Sequence, residues 1–321
     1  MNKTARIVFA MLMGVALVFA VGCQKDDGDE QHQSTPSGNG DNGGGNGGNG
    51  GGDNGGNGGG DTLTEGVLPG EFSVSRGKTV HFSQGNLQYQ ASTQTWRFSA
   101  RQYICIGDSN SNISSTYSGW IDLFAWGTSG WNSGATCYQP WSTSTSDADY
   151  AFSTNMTGAY DSADWGVYNA IQNGGNAPGL WRTLTGTEWN YLLYTRTDAA
   201  SKAGYATVAG VTGVILLPDS FADPMKNNGR RAFAPKATTG WDANVYTAED
   251  WAAMEAAGAV FLPAAGGRYS TRVLNVGTNG YYWSSAYSQG DNAGFVHFES
   301  TDIDMNCHNL NNGRSVRLVK D

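Results

Sequence analysis

The residues best suited to bind a ligand are concentrated between positions 279 and 312, where aromatic residues alternate with hydrogen-bonding side chains. Tyrosine offers a large amphipathic surface at low entropic cost, and serine and asparagine offer adaptable hydrogen bonds, so this composition is typical of a binding surface. The predicted ligand-binding residues are Tyr281, Tyr287, Ser288, Asp291, Asn292, His297, Asp302, Asp304, Asn306, His308, Asn309, Asn311 and Asn312. The competing interpretation is that these are ordinary loop residues, since surface loops are polar.

Patterns for catalysis or metal binding are sparse. The chain contains 4 His, none of them in His-x-x-x-His spacing, and no Gly-x-Ser-x-Gly nucleophile elbow. Asp302-x-Asp304-x-Asn306 resembles the start of a calcium-binding loop, but Cys307 stands where the sharp turn needs glycine. We therefore predict no catalytic residue, no bound metal and no cofactor, and a solvated polar loop at 302–306.

Cysteine usage leaves two alternatives open. In an oxidising envelope compartment, Cys105 and Cys137 could form one disulfide and leave Cys307 unpaired. Buried free thiols are the other interpretation, because cysteine packs well as a small apolar residue.

Short strands and two helices are predicted to position these residues. Thr185 and Thr247 begin capping-box sequences, with Glu188 and Asp250 three residues later, and each predicts a helix start. Apolar alternation or short apolar runs predict strands at 72–74, 79–83, 87–89, 95–98, 214–217, 259–262, 280–285, 294–298 and 313–319. The stretch 107–179 is irregular, and we expect side-chain anchors to hold it. The predicted anchors are Trp120, Phe124, Trp126, Trp131, Trp141 and Trp165. Together these features predict one α+β domain over residues 64–321, with small antiparallel sheets and long irregular loops.

The first 22 residues have the pattern of an export signal. Lys3 and Arg6 precede an apolar run that is too short for a stable bilayer span. The run ends in Ala20-Val21-Gly22-Cys23, which resembles a bacterial lipobox, in which the cysteine thiol is diacylated. We therefore expect a lipid on Cys23 to anchor the mature chain to a membrane. An ordinary signal peptide with a chance cysteine is the alternative.

Residues 23–63 are predicted to form a flexible tether, because glycine, asparagine and aspartate offer no apolar surface to offset chain entropy. A chain of this length has a root-mean-square reach of roughly 35 Å. The stretch Gln24–Glu30 resembles the lysine-plus-acidic export signal of Bacteroidetes surface lipoproteins, which implies a cell-surface location on the outer membrane. A merely acidic start to the linker is the alternative.

Charge excludes one class of partner. The chain carries 19 Lys+Arg against 28 Asp+Glu, a net charge of −9, and loss of Lys3 and Arg6 with the signal would leave −11. Because a phosphate backbone requires a basic face, we predict no nucleic-acid partner.

Several motifs in 64–321 resemble known families. The segment Trp181–Tyr191 looks like the helix start of the formylglycine-generating-enzyme-like (sulfatase-modifying-factor) superfamily, and Gly266-Gly-Arg268 and Gly313–Val319 sit where that family has its arginine-rich ending. A closer similarity is to Bacteroidetes surface lipoproteins of the Fibrobacter major-paralogous-domain type. It is carried by Phe82–Tyr89, Asp122–Gly127, Phe261–Ala265, Tyr282–Ser285 and Val316–Val319. The resemblance implies a C-type-lectin-like fold. The oxidase chemistry of the superfamily is not implied, since Cys307 lacks the neighbouring cysteine of the enzymes.

The segment 279–317 also resembles the C-terminal variable region of lectin-fold proteins that diversity-generating retroelements mutate. The leading hypothesis is therefore a lipid-anchored binding module for a glycan or protein on a host, cell or phage surface. A structural or fimbria-associated subunit ranks second, and an envelope enzyme ranks third.

Overall fold

The computed structural model of the protein describes residues 65–132, 138–150, 154–226, 229 and 231–321. The predicted signal peptide, Cys23, the tether and Cys137 lie outside the described residues. Within them the fold is mixed α+β, with mostly small sheets and few helices, as predicted. No helix in the described part of the chain is both long and apolar enough to cross a bilayer.

The strands are short and fall into three sheets and two hairpins. Their bounds are β1 Phe72–Ser75, β2 Lys78–Phe82, β3 Leu87–Gln90, β4 Thr95–Phe98, β5 Arg182–Thr183, β6 Ala203–Val208, β7 Val211–Leu216, β8 Val245–Tyr246, β9 Val260–Pro263, β10 Gly267–Tyr269, β11 Arg272–Leu274, β12 Gly280–Ser288, β13 Asn292–Phe298, β14 Ile303–Asn309 and β15 Leu318–Lys320. The sheets have the orders β1-β2-β15-β5, β8-β6-β7-β9 and β12-β13-β14, and β3–β4 and β10–β11 form the hairpins.

The first sheet joins the two ends of the described chain. β15 pairs antiparallel with both β2 and β5, so that Val319 lies opposite Phe82 on one side and Arg182 on the other. This pairing closes the domain, because the strands that begin the fold can complete their hydrogen bonds only after the last strand is in place.

Both predicted helices begin at the predicted capping boxes. α2, Gly186–Asn190, starts after Thr185, whose hydroxyl accepts from Glu188 N while the Glu188 carboxylate accepts from Thr185 N. It continues as a π-helical turn, Tyr191–Thr195. α3, Ala248–Ala256, has the same reciprocal cap at its start. A short helix, α1 at Trp165–Tyr168, was not predicted.

Six strands also escaped prediction: β5, β6, β8, β10, β11 and β14. The last is the most consequential, because residues 302–306 were expected to be a loop, and all but the first belong to β14. Of the predicted strand 313–319, only its last residues belong to β15, and residues 313–315 make isolated bridges instead.

The predicted aromatic anchors pin the irregular segment 107–179 to the interior. Phe124, Trp126 and Trp165 are fully buried, and Trp131 and Trp141 pack partly buried against the same cluster. The remaining anchor, Trp120, is half-buried, and its ring lies 3.5 Å from the guanidinium carbon of Arg97. Aromatic burial therefore supplies the attachment that regular secondary structure does not.

Two buried carboxylates fix loops in place. Asp122 accepts hydrogen bonds from Ile106 N and the Asn110 side chain, both at 2.8 Å. Asp164 caps α1 through Gly166 N at 3.0 Å and also accepts from Thr183 N at 2.8 Å. Burial raises the pKa of both carboxyls to about 6, although these hydrogen bonds act in the opposite direction.

These raised pKa values predict that the free energy of unfolding falls as pH rises from about 4 to about 6. In this window the folded state still holds protons that the unfolded chain has released. Below about pH 4 each of the two carboxyls therefore adds about 2–3 kcal/mol to the free energy of unfolding, and this contribution is lost as pH rises to about 6. Urea denaturation at closely spaced pH values measures the slope. Asp122→Asn should flatten it, and Asp161→Asn, at an exposed aspartate, should not. A flat profile for the unmodified chain would contradict the prediction.

At still lower pH a different group reverses the trend. Burial acts to raise the pKa of Glu188, but hydrogen bonds from Arg182 at 2.7 and 2.9 Å outweigh it and lower this pKa. Its contribution to stability is present above its ordinary pKa and is lost as pH falls through the lowered value.

Candidate ligand-binding site

The three-stranded sheet β12-β13-β14 positions most of the predicted ligand-binding residues. β13 pairs with β12 from Gly280↔Phe298 to Ser288↔Asn292, with one irregularity, and with β14 from Phe298↔Ile303 to Asn292↔Asn309. Because side chains alternate between the two faces of a sheet, this register decides which residues enter the core.

One face of the sheet packs with α2 and the first sheet. Tyr282, Val296 and Phe298 are buried there in a cluster that also contains Trp189. The opposite face buries Tyr281, Trp283 and Phe295 in the cluster of Trp126. Apolar contacts on both faces therefore immobilise β12 and β13.

A buried arginine supports the second face. The guanidinium carbon of Arg314 lies 3.6 Å from the ring centroid of Phe295, 4.6 Å from that of Tyr281 and 5.0 Å from that of Trp283. Burial lowers the pKa of this guanidinium to about 10. Within the described residues its Nε and Nη1 atoms have no hydrogen-bond partner, so aromatic faces are its main surroundings.

The predicted residues divide by burial. Tyr281 and Asn312 are interior, 9 % and 6 % exposed. The other eleven are half-buried or exposed, and we call them the polar rim. The polar rim consists of Tyr287, Ser288, Asp291, Asn292, His297, Asp302, Asp304, Asn306, His308, Asn309 and Asn311.

Most of the polar rim meets at the end of the sheet where β12 turns into β13. Two rows of residues lie there, each row made of residues directly opposite one another on β12, β13 and β14. The rows are Tyr287–Ala293–His308 and Ser288–Asn292–Asn309. The ring of Tyr287 packs 6.1 Å from that of Trp126, which fixes the aromatic member of the rows. Asn311 follows directly and donates from Nδ2 to Thr145 O at 2.8 Å. Tyr287, Asn309 and Asn311 thus lie at the same end of the sheet, with Tyr287 and Asn309 in adjacent rows and on opposite faces.

The other end of the polar rim contains a histidine–aspartate pair. His297 Nδ1 lies 3.2 Å from Asp304 Oδ1, and His297 Nε2 lies 3.1 Å from the side-chain amide nitrogen Nδ2 of Asn279. A neutral imidazole with its proton on Nδ1 satisfies both contacts, because it donates to the carboxylate and accepts from the amide. The imidazole also stacks on Tyr281 at 5.1 Å. The His297–Asp304 pair therefore orients the Asn279 side chain that contacts it.

Side chains on or just before β14 cap the amides of this outermost strand. Asp302 Oδ1 accepts from Ile303 N at 2.9 Å, Asn306 Oδ1 from Cys307 N at 2.7 Å and His308 Nδ1 from Asn309 N at 2.8 Å. Each cap comes from the residue directly before the amide. The alternating polar pattern that suggested a calcium loop therefore belongs to an edge strand whose outward amides at Ile303, Cys307 and Asn309 are covered.

The bonding states of Cys105 and Cys307 differ from the first of the two predicted alternatives. Cys105 is a free thiol, and Cys307 is disulfide-bonded. Both the predicted Cys105–Cys137 disulfide and an unpaired Cys307 are therefore wrong. Burial, followed by the nearby Asp122 carboxylate, raises the pKa of the Cys105 thiol to about 11.

Sequence reasoning missed three residues that border the polar rim. Met305 lies half-buried on β14, and Tyr194 is 44 % exposed and donates from its hydroxyl to Ile303 O at 2.8 Å. Lys236 places its ammonium 4.8 Å from the ring centroid of Tyr194. Tyr194 and Lys236 lie far from β14 in the sequence, so no local pattern could have found them.

No group of three or more His, Cys, Asp or Glu side chains within the described part of the chain is arranged to hold a metal ion. The site therefore offers hydrogen-bonding groups on a rigid aromatic base. Such a surface can recognise a ligand through complementary donors and acceptors.

No protein-family model, curated protein or solved structure matches this chain. The geometry of the polar rim and the sequence features that precede the folded residues are therefore the observations that bear on function.

Proposed function

We propose that this chain is a surface-anchored lipoprotein that presents a ligand-binding domain, and that the polar rim contacts the ligand. The observation that carries the proposal is the position of Tyr287, Asn309 and Asn311 at one end of a sheet whose aromatic residues are held by the core. Ligand-binding residues are commonly displayed in this way by a rigid scaffold.

We further propose that the domain has the C-type-lectin-like architecture that its motifs resemble. Two features support this assignment: the antiparallel closure of the domain by β15 and the long segment 107–179 held by aromatic side chains. The class of ligand that follows is a glycan or a protein on a host, cell or phage surface. The lipidated Cys23 would hold the domain at the outer membrane, and the tether would carry it away from the lipid.

The division between core and rim also fits diversification of residues 279–317. Trp283, Phe295 and Arg314 are buried, and substitution there would create a cavity or expose apolar surface. The polar rim is half-buried or exposed, and changes there cost little stability. A near-copy of the DNA encoding 279–317 beside a reverse-transcriptase gene, differing mainly at adenines, would support this part of the proposal.

Binding measurements on the mature chain in detergent micelles test the proposal. Glycan arrays and host-surface protein extracts are the probes, and the triple variant Tyr287→Ala, Asn309→Ala, Asn311→Ala is compared with the unmodified chain. We expect at least a tenfold loss of affinity for any captured ligand, because several side-chain contacts of about 1 kcal/mol each are removed together. Tyr168→Ala, at another exposed tyrosine, is the matched control and should bind normally.

Two results would count against the polar rim. Unchanged binding by the triple variant would place the ligand site elsewhere on the molecule. Stable assembly of the chain with itself, without capture of any ligand, would favour the structural subunit.

A further inference from the structure

The outer edge of β14 is covered at three amides and open at one. The amides of Ile303, Cys307 and Asn309 each bond to the side chain of the preceding residue. Asp304 turns instead toward His297, so it does not cap the amide of Met305. Outside the β13–β14 ladder, the N–H and C=O of Met305 have no hydrogen-bond partner among the described residues.

The sheet register explains why these groups point outward. In an antiparallel ladder, alternate residues direct their backbone groups to the same neighbour. Ile303, Cys307 and Asn309 face away from β13, and Met305 shares their position in the alternation. Because β14 is the last strand in the order β12-β13-β14, the backbone of Met305 faces outward from the sheet.

The charge around the outward backbone groups of Met305 is negative. Asp302 and Glu299 are exposed, and the side chain of Asp304 is 39 % exposed. Lys236 is a cation that interacts with Asp302, and its ammonium lies 4.8 Å from the ring centroid of Tyr194. A second copy of the chain would bring the same carboxylates against one another, so self-pairing is disfavoured.

We propose that β14 accepts an extended, cationic segment of a partner protein as a fourth strand, with Met305 supplying the central pair of backbone hydrogen bonds. In such an addition the backbone of the segment pairs with Met305, and alternate side chains lie beside Asp304. The caps at Cys307 and Asn309 limit the number of backbone bonds, so charge contributes to the choice of partner. This inference names a partner class for the polar rim and rests on the proposed function.

The test uses the mature chain in detergent micelles and a fluorescent seven-residue peptide that alternates lysine with valine. A matched peptide with glutamate in place of lysine should bind at least tenfold more weakly. Met305→Pro should lower the affinity for the lysine peptide about tenfold, because it removes the open N–H and places a ring at the edge. Met305→Ala keeps the N–H and should stay within about threefold of the unmodified chain.

Hydrogen exchange provides a direct structural measurement. Exchange of the Met305 amide should slow when the lysine peptide is added, because the peptide backbone accepts its proton. Proline is compatible with an outward-facing edge position, and a near-ultraviolet circular dichroism spectrum checks that the variant folds. If it does not fold, the double variant Asp302→Asn, Asp304→Asn replaces it, and it should bind the lysine peptide more weakly and with less dependence on salt.

Several outcomes would overturn the inference. Equal binding by folded Met305→Pro would show that the peptide is attracted only by the net charge of the chain. Self-association that Met305→Pro abolishes would identify a second copy as the occupant. If the Tyr287, Asn309 and Asn311 variant loses an array ligand while the lysine peptide fails to bind, the proposed function stands and strand addition fails.

Discussion

Replacing Cys23 with serine is expected to release the protein from the membrane fraction almost completely. Each buried methylene of an acyl chain contributes about 0.8 kcal/mol to membrane binding, so a diacylated cysteine accounts for nearly all the affinity. In the described part of the chain no helix could replace this anchor. The measurement is the share of the protein in pelleted membranes from cells that produce the unmodified chain or Cys23→Ser.

Cys105→Ser is the matched control for that experiment. Cys105 is a free thiol within the folded domain and lies far from the lipobox in the sequence, so its replacement should leave the protein in the membrane fraction. Protease treatment of intact cells then tests surface exposure, because a surface-displayed tether is cleaved without lysis. Retention of Cys23→Ser in the membrane fraction would contradict lipid anchoring at this residue.

Replacing Arg314 with alanine is expected to lower the free energy of unfolding by about 3 kcal/mol, because it leaves a cavity against three aromatic rings. The guanidinium carbon lies within 5.0 Å of the ring centroids of Tyr281, Trp283 and Phe295, and the residue is 2 % exposed. Urea denaturation followed by tryptophan fluorescence measures the loss. The same variant should weaken ligand binding at the polar rim, since β12 and β13 lose their support.

Arg314→Met separates the cavity from the charge. Methionine fills much of the same space without a buried cation, and replacing buried charge with apolar volume is often neutral. We expect the free energy of unfolding of this variant to lie within about 1 kcal/mol of that of the unmodified chain. A loss as large as that of Arg314→Ala would show that the attraction between the guanidinium and the rings dominates.

Local signals account for the parts of the fold that were predicted correctly. The capping boxes at Thr185 and Thr247 each involve residues three positions apart, and both form as expected. The alternating patterns of β1 to β4 likewise place their apolar residues in the core. β14 was missed although Ile303, Met305 and Cys307 alternate with polar residues, because the polar residues match the start of a calcium-binding loop and the stretch was interpreted as a loop.

The ligand-binding residues were chosen from composition alone, and composition does not report burial. Tyr281 and Asn312 have the same residue types as Tyr287 and Asn311, but the contacts of Tyr281 with Arg314 and Phe295, and those of the last loop, place the first two inside. The bonded state of Cys307 was likewise beyond the sequence, because a disulfide depends on distance in space.

The α+β class and the starts of the two main helices followed from the sequence alone and are present in the structure. The expectations of a lipid-anchored, tethered domain and of no nucleic-acid partner also come from the sequence and stay predictions. Three features appear only in the folded molecule: β14 is an edge strand, Arg314 is buried against the aromatic residues of the sheet, and Met305 presents an open amide. The physical reason is the range of the interactions. Helix caps and export signals are read from neighbouring residues, whereas an exposed edge and a buried cation result from contacts between segments far apart in the chain.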